Sequence, residues 1–336
     1  MISCKLYKNI DDIETIWDSL VSRNPKLLPY MYYYYNKCIC DSYWLYQLKG
    51  FQRPLFAVCY KDNTPIFIAP LAKSITGRFC KMLGDIQGSD NIDFIYASDI
   101  DREILGQCIE SVRKSVGGEI SCSRINADSL VLDYIRNIAP GHRIEPYPHV
   151  NVKFGDDFNE YFKGLSKNSR QNIRTSLNRI VKDGTTVEFK VAHTENEIAK
   201  VLDLYYSRMR NRYRIGMSAA RIRLMEYIGR HFKHDTRSLT TSDNRFICYL
   251  EINGEMASCM LGLKNRQETL ITVPRLSIND KFSKYSPGNL LIYECVKYLI
   301  DHTSIRNLDL SRGNEKYKYI MGGVEYCTYT FDIKQV

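Results

Sequence analysis

A run of polar residues follows a predicted strand in the segment LDLSRGNEKYKYIMGG, residues 308–323. Asp309 lies on the strand face opposite its leucine neighbours, where a carboxylate could orient or deprotonate an amine. Pairing with the nearby arginine, or capping of the next helix, would explain the same residue equally well. Gly313 permits the chain to turn back, which would bring Tyr317 and Lys318 towards the strand end. The segment predicts either a reaction site or a stabilised turn.

A second candidate site is the helix start KYSPGNLLIYECVKYLI, residues 284–300. Ser286 is a preferred N-cap residue, and Pro287 suits the first helical turn. Gly288 and Asn289 would let a ligand approach the backbone amides closely. Because the first amides of a helix lack partners and lie at the positive end of its dipole, this segment could bind a phosphate group. Ordinary helix capping would explain the same residues.

The excess positive charge is concentrated in the second half of the chain. Residues 1–150 hold 17 basic and 17 acidic side chains, whereas residues 151–336 hold 30 basic and 21 acidic ones, which accounts for the whole net charge of +9. This asymmetry indicates an anionic ligand of the second half, which could be a phosphorylated cofactor, a nucleic acid or an anionic lipid surface.

Two basic helices open that half. The first is predicted over residues 166–182, and one edge of its buried stripe carries Lys167, Arg170 and Arg174, which could line a groove or could simply be solvated. The second is predicted to begin at Thr194, which forms a capping-box pattern with Glu197. It runs into SRMRNRYRIG, where alternate arginines would spread over more than one helix face. That segment therefore predicts no single basic patch.

Composition predicts an ordinary globular protein. The chain has 336 residues, of which 44% are apolar, and no apolar run reaches the length of a membrane span. The N-terminus carries acidic residues where a signal peptide needs an apolar core, so we expect a cytoplasmic protein. The eleven cysteines are scattered and odd in number, as reduced core thiols are. Neither the C-x-C pair nor the H-x-x-H pair is completed by further ligands, so no metal is expected.

The two halves share an order of elements, which predicts an α/β fold with mixed sheets. Each half has a hairpin, with turns at KDNT and around Asn253-Gly254, then a further strand and a helix. Proline and glycine cluster near residues 139–150, where the halves would join. We therefore expect a duplicated unit, with domains at residues 1–150 and 151–336.

Hairpin, strand, glycine-bearing helix start, strand and polar turn follow one another as in the GNAT acyltransferase core. The combination of SPGNLLIYECVKYLI, LDLSRGNEKYK, LSKNSRQNIRTSLNRIVKDG and PIFIAPLAKSITGRFCKMLG resembles the double-GNAT, cellulose-biosynthesis-like (CelD-like) acetyltransferases, which are related to the FemABX aminoacyltransferases. The resemblance spans roughly residues 50 to 325. It implies two tandem GNAT-like domains and acyl transfer to an amine, with the first domain binding the acceptor or supporting the second.

The resemblance also implies roles for particular residues. The diphosphate of acetyl-CoA or another acyl-CoA would lie on the helix start, and the last strand would part from its neighbour to admit the thioester. Met321 occupies the position of the usual thiolate-protonating tyrosine, which leaves Tyr317 or Tyr319 for that role. The candidate residues are Asp309, Tyr317 and Lys318 for catalysis; Ser286, Pro287, Gly288, Asn289 and Asn314 for the cofactor; and Lys167, Arg170, Arg174 and Arg312 for the substrate.

Three functions agree with these features. The first is transfer from acyl-CoA to an amine of a cell-envelope or polysaccharide precursor, either a small molecule or a lipid-linked one. The second is a FemABX-like reaction with an aminoacyl-tRNA donor, for which the basic half with interleaved arginine and tyrosine is suited. The third is a GNAT-fold module that binds a ligand without turnover, which the methionine at position 321 favours.

Overall fold

The computed structural model describes residues 1–42, 52–77, 79–85, 89–138, 143–213, 218–232 and 234–334. The chain forms two compact units, of which the first comprises Met1–Pro148 with Cys327–Val336 and the second comprises His149–Tyr326. No helix in these described ranges is long and apolar enough to cross a membrane.

The first unit is a mixed sheet with helices packed against it. Its strands are β1 (Ile2–Tyr7), β2 (Gln52–Lys61), β3 (Thr64–Ser74), β4 (Phe79–Met82), β5 (Ile95–Tyr96) and β6 (Glu119–Ile125). Its helices are α1 (Glu14–Ser22), α2 (Tyr33–Ser42), α3 (Arg102–Val116) and α4 (Leu130–Ile138), with short 3-10 turns at Ile10–Ile13 and Pro29–Met31. The strand order is β1-β2-β3-β4-β6, and β5 pairs with β3.

Local sequence signals explain these elements. The KDNT turn joins β2 to β3 in an antiparallel hairpin, because Asp62 and Asn63 both adopt the positive φ that tight hairpin turns require. The carboxylate of Asp101 accepts two amides at the start of α3, and Gly117 ends the helix in the left-handed conformation. The predicted hairpin and helix of the first half are therefore confirmed.

The second unit is also a mixed sheet, with helices on both faces. Its strands are β7 (Glu145–Lys153), β8 (Val187–Val191), β9 (Arg245–Ile252), β10 (Glu255–Lys264), β11 (Leu270–Ile278) and β12 (Asn307–Arg312). Its helices are α5 (Phe158–Gly164), α6 (Lys167–Lys182), α7 (Glu195–Tyr213), α8 (Ala219–Phe232), α9 (His234–Thr241), α10 (Pro287–His302) and α11 (Lys316–Ile320), and a 3-10 helix spans Asp280–Tyr285. The strand order is β7-β12-β11-β10-β9-β8. The last strand, β13 (Val324–Ile333), begins in this unit and ends in the first, where it pairs with β6.

Both faces of the second sheet are buried. Apolar side chains of α6 and α10 form one cluster with β9, β10 and β11, and α10 supplies the largest share through Leu290, Leu291, Val296 and Leu299. On the other face, α7 packs against β10 and β11. The capping box of α7 forms as predicted, since the Glu197 carboxylate accepts the Thr194 amide at 2.9 Å. The predicted hairpin at Asn253-Gly254 joins β9 to β10 and is also confirmed.

Strands β11 and β12 separate after a short parallel ladder. Their pairing runs from Leu270 opposite Asn307 to Thr272 opposite Asp309 and stops there, although both strands continue. Pro274, two residues beyond Thr272 in β11, has no amide hydrogen to donate to a neighbouring strand. On the other side of β11, the register shifts at Gly262 of β10, where an added Cβ would lie 2.6 Å from the Thr272 carbonyl oxygen. The expected parting of the Asp309 strand from its neighbour is therefore present.

Asp93 is a buried carboxylic acid in the first unit. One of its oxygens accepts the Phe94 amide at 2.8 Å and the Ser129 hydroxyl at 2.7 Å, and the other accepts the Tyr96 hydroxyl at 3.0 Å. Burial raises the pKa of Asp93 to about 7, and the three hydrogen bonds oppose this rise only in part. The folded state therefore retains a proton that the unfolded chain releases at lower pH.

We expect Asp93 to make the free energy of unfolding fall as pH rises from about 4 to about 7, because in that window the native state binds more protons than the unfolded state. The Asp93→Asn variant lacks this titration. The free energy of unfolding of the wild type minus that of the variant should therefore decrease as pH rises, by on the order of a few kcal/mol. Urea denaturation across that range measures it, and a difference that does not vary with pH would contradict the assignment.

Candidate active site

A cavity of about 430 Å³ opens at the N-terminus of α10. Five elements of the second unit contribute to its wall: α7, β11, the 3-10 helix Asp280–Tyr285, the start of α10, and α11 with the residue before it. The lining residues are Arg208, Leu276, Ile278, Ser283, Ser286, Pro287, Gly288, Asn289, Glu315 and Tyr317. The structure thus brings the predicted helix start and the predicted tyrosine together in one cavity.

A hydrogen bond from β10 anchors the start of α10. The hydroxyl of buried Ser258 in β10 donates to the Pro287 carbonyl oxygen at 2.8 Å. Ser286 adopts a left-handed conformation with φ of 51°, and its side chain makes no capping hydrogen bond to the described residues of α10. The hydroxyl therefore does not occupy the space in front of the first helical amides, as ordinary serine capping would.

Gly288 keeps the cavity floor open. A Cβ added at this position would lie 3.3 Å from the Cγ2 of Ile278 and 3.5 Å from the Cδ2 of Leu276, both of which line the cavity. A larger side chain would therefore occupy the cavity itself. Because α10 is sixteen residues long, the positive end of its dipole lies beside this space. Gly288 supplies the first amide of the helix, since Pro287 has none and the Asn289 amide donates to the Ser286 carbonyl oxygen at 3.0 Å. The arrangement is suited to an anionic group.

Tyr317 is the tyrosine that the structure places in the cavity. Burial raises its pKa to about 12, and the Glu315 carboxylate adds to this, whereas the Arg208 guanidinium lowers the pKa. The phenol therefore keeps its proton at neutral pH and can donate it. The Tyr319 hydroxyl instead donates to the exposed carboxylate of Glu325 at 2.7 Å. Met321 lies fully buried in the core.

Asp309 is buried beside the parted strands rather than among the cavity residues named above. Its exposed fraction is 2%, its Oδ1 accepts the Ser311 amide at 2.9 Å, and its Oδ2 accepts the Tyr326 hydroxyl at 2.8 Å. Ser311 adopts a positive φ of 60°, which kinks the end of β12. The carboxylate thus stabilises the strand end, and its role as a base stays a prediction.

Lys318 is directed at the backbone of the turn. Its side chain is only 2% exposed, and its ammonium donates to the carbonyl oxygens of Ser311 at 3.2 Å, Arg312 at 2.5 Å and Gly313 at 3.1 Å. The Glu315 carboxylate lies 3.1 Å from the same nitrogen. These contacts give Lys318 a structural task that the sequence did not reveal. Its contact with substrate remains a prediction.

Two of the predicted substrate-binding residues contact α5. Arg170 donates to the carbonyl oxygens of Lys163 at 2.6 Å and Leu165 at 2.5 Å, and Arg174 lies 5.7 Å from the centre of the Phe162 ring. Three further predicted residues, Lys167, Arg312 and Asn314, are exposed to solvent. The sequence correctly placed the basic stripe on one helix, and its contact with a ligand stays a prediction.

Arg208 and Glu315 line the cavity, although the sequence did not single them out. The Arg208 guanidinium donates to the Ile278 carbonyl oxygen at 3.2 Å and lies 3.7 Å from an Asp280 carboxylate oxygen. Its side chain is 33% exposed, so it can also reach a ligand. The alternating arginines of α7 did not reveal this residue in the sequence, because the packing of α7 beside β11 is what places Arg208 near α10.

The family comparison agrees with this site. Residues 167–319 match the acetyltransferase (GNAT) domain family, and the match contains both α10 and the Tyr317 turn. No curated protein matches the chain.

Three solved structures are similar over nearly the whole chain. A conserved protein of unknown function from Bacteroides thetaiotaomicron has 14% identity and a TM-score of 0.55, with 99% of each chain covered. The C-terminal domain of a putative lysylphosphatidylglycerol synthetase from Agrobacterium fabrum has 12% identity and a TM-score of 0.53, covering 96% of this chain and 92% of that one. A tandem GNAT protein from the clavulanic acid biosynthesis pathway has 12% identity and a TM-score of 0.52, covering 99% and 98%.

At these identities the solved structures establish the fold, which is a tandem arrangement of GNAT-like domains with mixed sheets. Residues 167–319 match the acetyltransferase (GNAT) domain family, and together with this fold the match supports an acyltransferase. The expected fold and class of enzyme are confirmed, and an enzyme is favoured over a binding module without turnover. The finer resemblance to the CelD-like family has no counterpart in these comparisons.

Replacing Lys318 with methionine tests its two possible tasks. We expect a loss of about 2 kcal/mol or more in the free energy of unfolding, because buried carbonyl groups of the turn lose their donor. Lys316→Met, an exposed change on the same helix, is the control and should have little effect. Urea denaturation gives the stability, and turnover per folded molecule is measured beside it. Unchanged stability with a large loss of turnover would instead assign Lys318 to catalysis.

Proposed function

We propose that the protein is an N-acyltransferase that binds acyl-CoA in the α10 cavity and transfers the acyl group to an amine of a cell-envelope or polysaccharide precursor. The observation that carries the proposal is the convergence of a helix N-terminus, a cation and a protonated phenol beside two parted strands. Acetyl-CoA is the first donor to test.

The diphosphate of the donor would lie on the first amides of α10. Two features support this placement: the open space above Gly288 and the guanidinium of Arg208 on the cavity wall. The thioester would then extend between β11 and β12, where backbone groups beyond Thr272 no longer belong to the ladder between the two strands.

The reaction forms an amide bond and breaks the carbon–sulfur bond of the thioester. The neutral amine attacks the carbonyl carbon, and the thiolate leaves with the electron pair of the broken bond. Tyr317 would donate its proton to that thiolate, and the carboxylate of Glu315, which lines the same cavity, would accept the proton that the amine loses. Both groups belong to one short segment that Lys318 holds in place.

The proposal includes both lipid-linked and small soluble amines as acceptors. A putative lysylphosphatidylglycerol synthetase shares the fold, so lipid-linked amines are tested beside small soluble ones. The aminoacyl-tRNA donor is tested in the same way, by titration with tRNA at several salt concentrations.

Isothermal titration calorimetry with acetyl-CoA tests the donor site directly. Gly288→Val should abolish measurable binding, because its side chain would fill the space of the phosphate group. Gly155→Val is the matched control, since an added Cβ at Gly155 meets no atom within 4 Å. Wild-type affinity in Gly288→Val would refute the donor site, and tight tRNA binding without acyl-CoA binding would favour the other donor.

Tyr317→Phe tests the proton donor. We expect turnover to fall by about 100-fold, with the largest loss at high pH, where solvent supplies protons poorly. This loss is measured as the rate at which the CoA thiol is released from acetyl-CoA, with the amine that gives the highest rate as the acceptor. Tyr319→Phe is the control, because the Tyr319 hydroxyl contacts Glu325 instead. Equal losses in both variants would exclude Tyr317 as the specific donor.

A further inference from the structure

Helix α8 has an outer face that is both apolar and basic. Three large apolar side chains on this helix are exposed to solvent: Leu224 at 58%, Met225 at 43% and Tyr227 at 56%. Arg221 and Arg223 are also exposed. On a helical projection, Leu224 and Tyr227 lie near the centre of the outer face and the two arginines lie on its opposite edges. We call these five residues the α8 face.

The opposite side of α8 is firmly attached to α7. Arg230 donates to Asp203 at 2.8 Å and to Glu226 at 2.9 Å, and Arg210 also binds Glu226. Gly229 permits close packing, since an added Cβ would lie 2.8 Å from the ring of Tyr206. The exposure of the α8 face is therefore not the result of a loosely held helix, and the apolar residues are presented in a fixed orientation.

Charge limits what can cover the α8 face. Glu226 is the only carboxylate in the sequence of α8, and it is bound by arginines on the inner side. The exposed residues of α8 therefore include cations and no anion. A partner must supply negative charge at both edges and an apolar medium at the centre.

A second copy of this chain does not meet both requirements. A two-fold contact through the α8 face would bring like-charged arginines together, because such contacts pair a surface with itself. A nucleic acid would supply phosphates but would meet an apolar centre. An anionic bilayer supplies both parts, since acyl chains receive the apolar side chains while arginines extend to the phosphate groups.

We propose that the α8 face binds the surface of an anionic membrane, with α8 lying in the plane of the interface. Arg208 of α7 lines the donor cavity, and Arg210, two residues later, binds α8 through Glu226. Two nearby positions of α7 thus contact the cavity and α8. The amine acceptor is accordingly carried on a lipid in that membrane. This second statement rests on the proposed N-acyltransferase function, whereas membrane binding does not.

Sedimentation with lipid vesicles tests the membrane surface. The full-length protein is mixed with vesicles of phosphatidylcholine alone, or of phosphatidylcholine with about 30% phosphatidylglycerol, at low and high salt. We expect binding only to the anionic vesicles, and we expect it to weaken as salt rises. Equal binding to both kinds of vesicle, or binding to neither, would overturn the proposal.

Two double variants separate the apolar and ionic contributions. Arg221→Gln with Arg223→Gln should weaken the partition coefficient by roughly 30-fold, since each basic residue near such a surface contributes about fivefold. Leu224→Gln with Tyr227→Gln should weaken it by about tenfold or more. Their controls are Lys61→Gln with Lys114→Gln, both exposed in the first unit, and Val181→Gln, which is 78% exposed on α6.

The controls decide between the α8 face and other surfaces. If the control variants lose as much vesicle binding as the α8 variants, the surface is elsewhere and the proposal is wrong. If light scattering shows a dimer that Leu224→Gln dissociates, the α8 face binds a second copy instead. Calorimetry with acetyl-CoA on the same α8 variants should show unchanged affinity, so that failure of the donor site and failure of the membrane surface are distinguished.

Discussion

The parting of β12 from β11 is the constraint on which the second unit depends. Their ladder ends at the pair Thr272 and Asp309, although both strands continue. A buried strand end of this kind must satisfy its backbone groups by other means. The structure does so through Lys318, whose ammonium donates to three carbonyl oxygens, and through Asp309, whose carboxylate accepts the Ser311 amide.

That solution also forms the cavity. Since Lys318 fixes the turn after β12, the neighbouring Tyr317 and Glu315 are held opposite the start of α10. On the helix side of the cavity, Ser258 positions the start of α10 by donating to the Pro287 carbonyl oxygen. Gly288 leaves the space in front of the helix free of a side chain. Groups that line the cavity and groups that stabilise the turn therefore alternate along a few residues, so we expect mutations of adjacent positions to affect turnover and stability differently.

Electrostatics links the two proposals without making them interdependent. The helix end and Arg208 favour an anion inside the cavity, whereas the arginines of α8 favour an anionic surface outside it. Both cationic features lie in the half of the sequence that carries the whole net charge. The first half, which has equal numbers of acidic and basic residues, contributes a sheet and the buried Asp93, whose pKa burial raises to about 7.

The sequence by itself determined the local elements and much of the fold. Turn residues such as Asn253-Gly254, the capping box at Thr194 and the helix start at Pro287 act over a few residues, so their patterns are visible in the chain. Tertiary structure decided which side chains face one another. Only the packing of α7 beside β11 places Arg208 in the cavity, and only the bend after β12 directs Lys318 into the backbone while leaving Tyr317 in the cavity. These choices depend on contacts between residues distant in sequence, which no local pattern encodes.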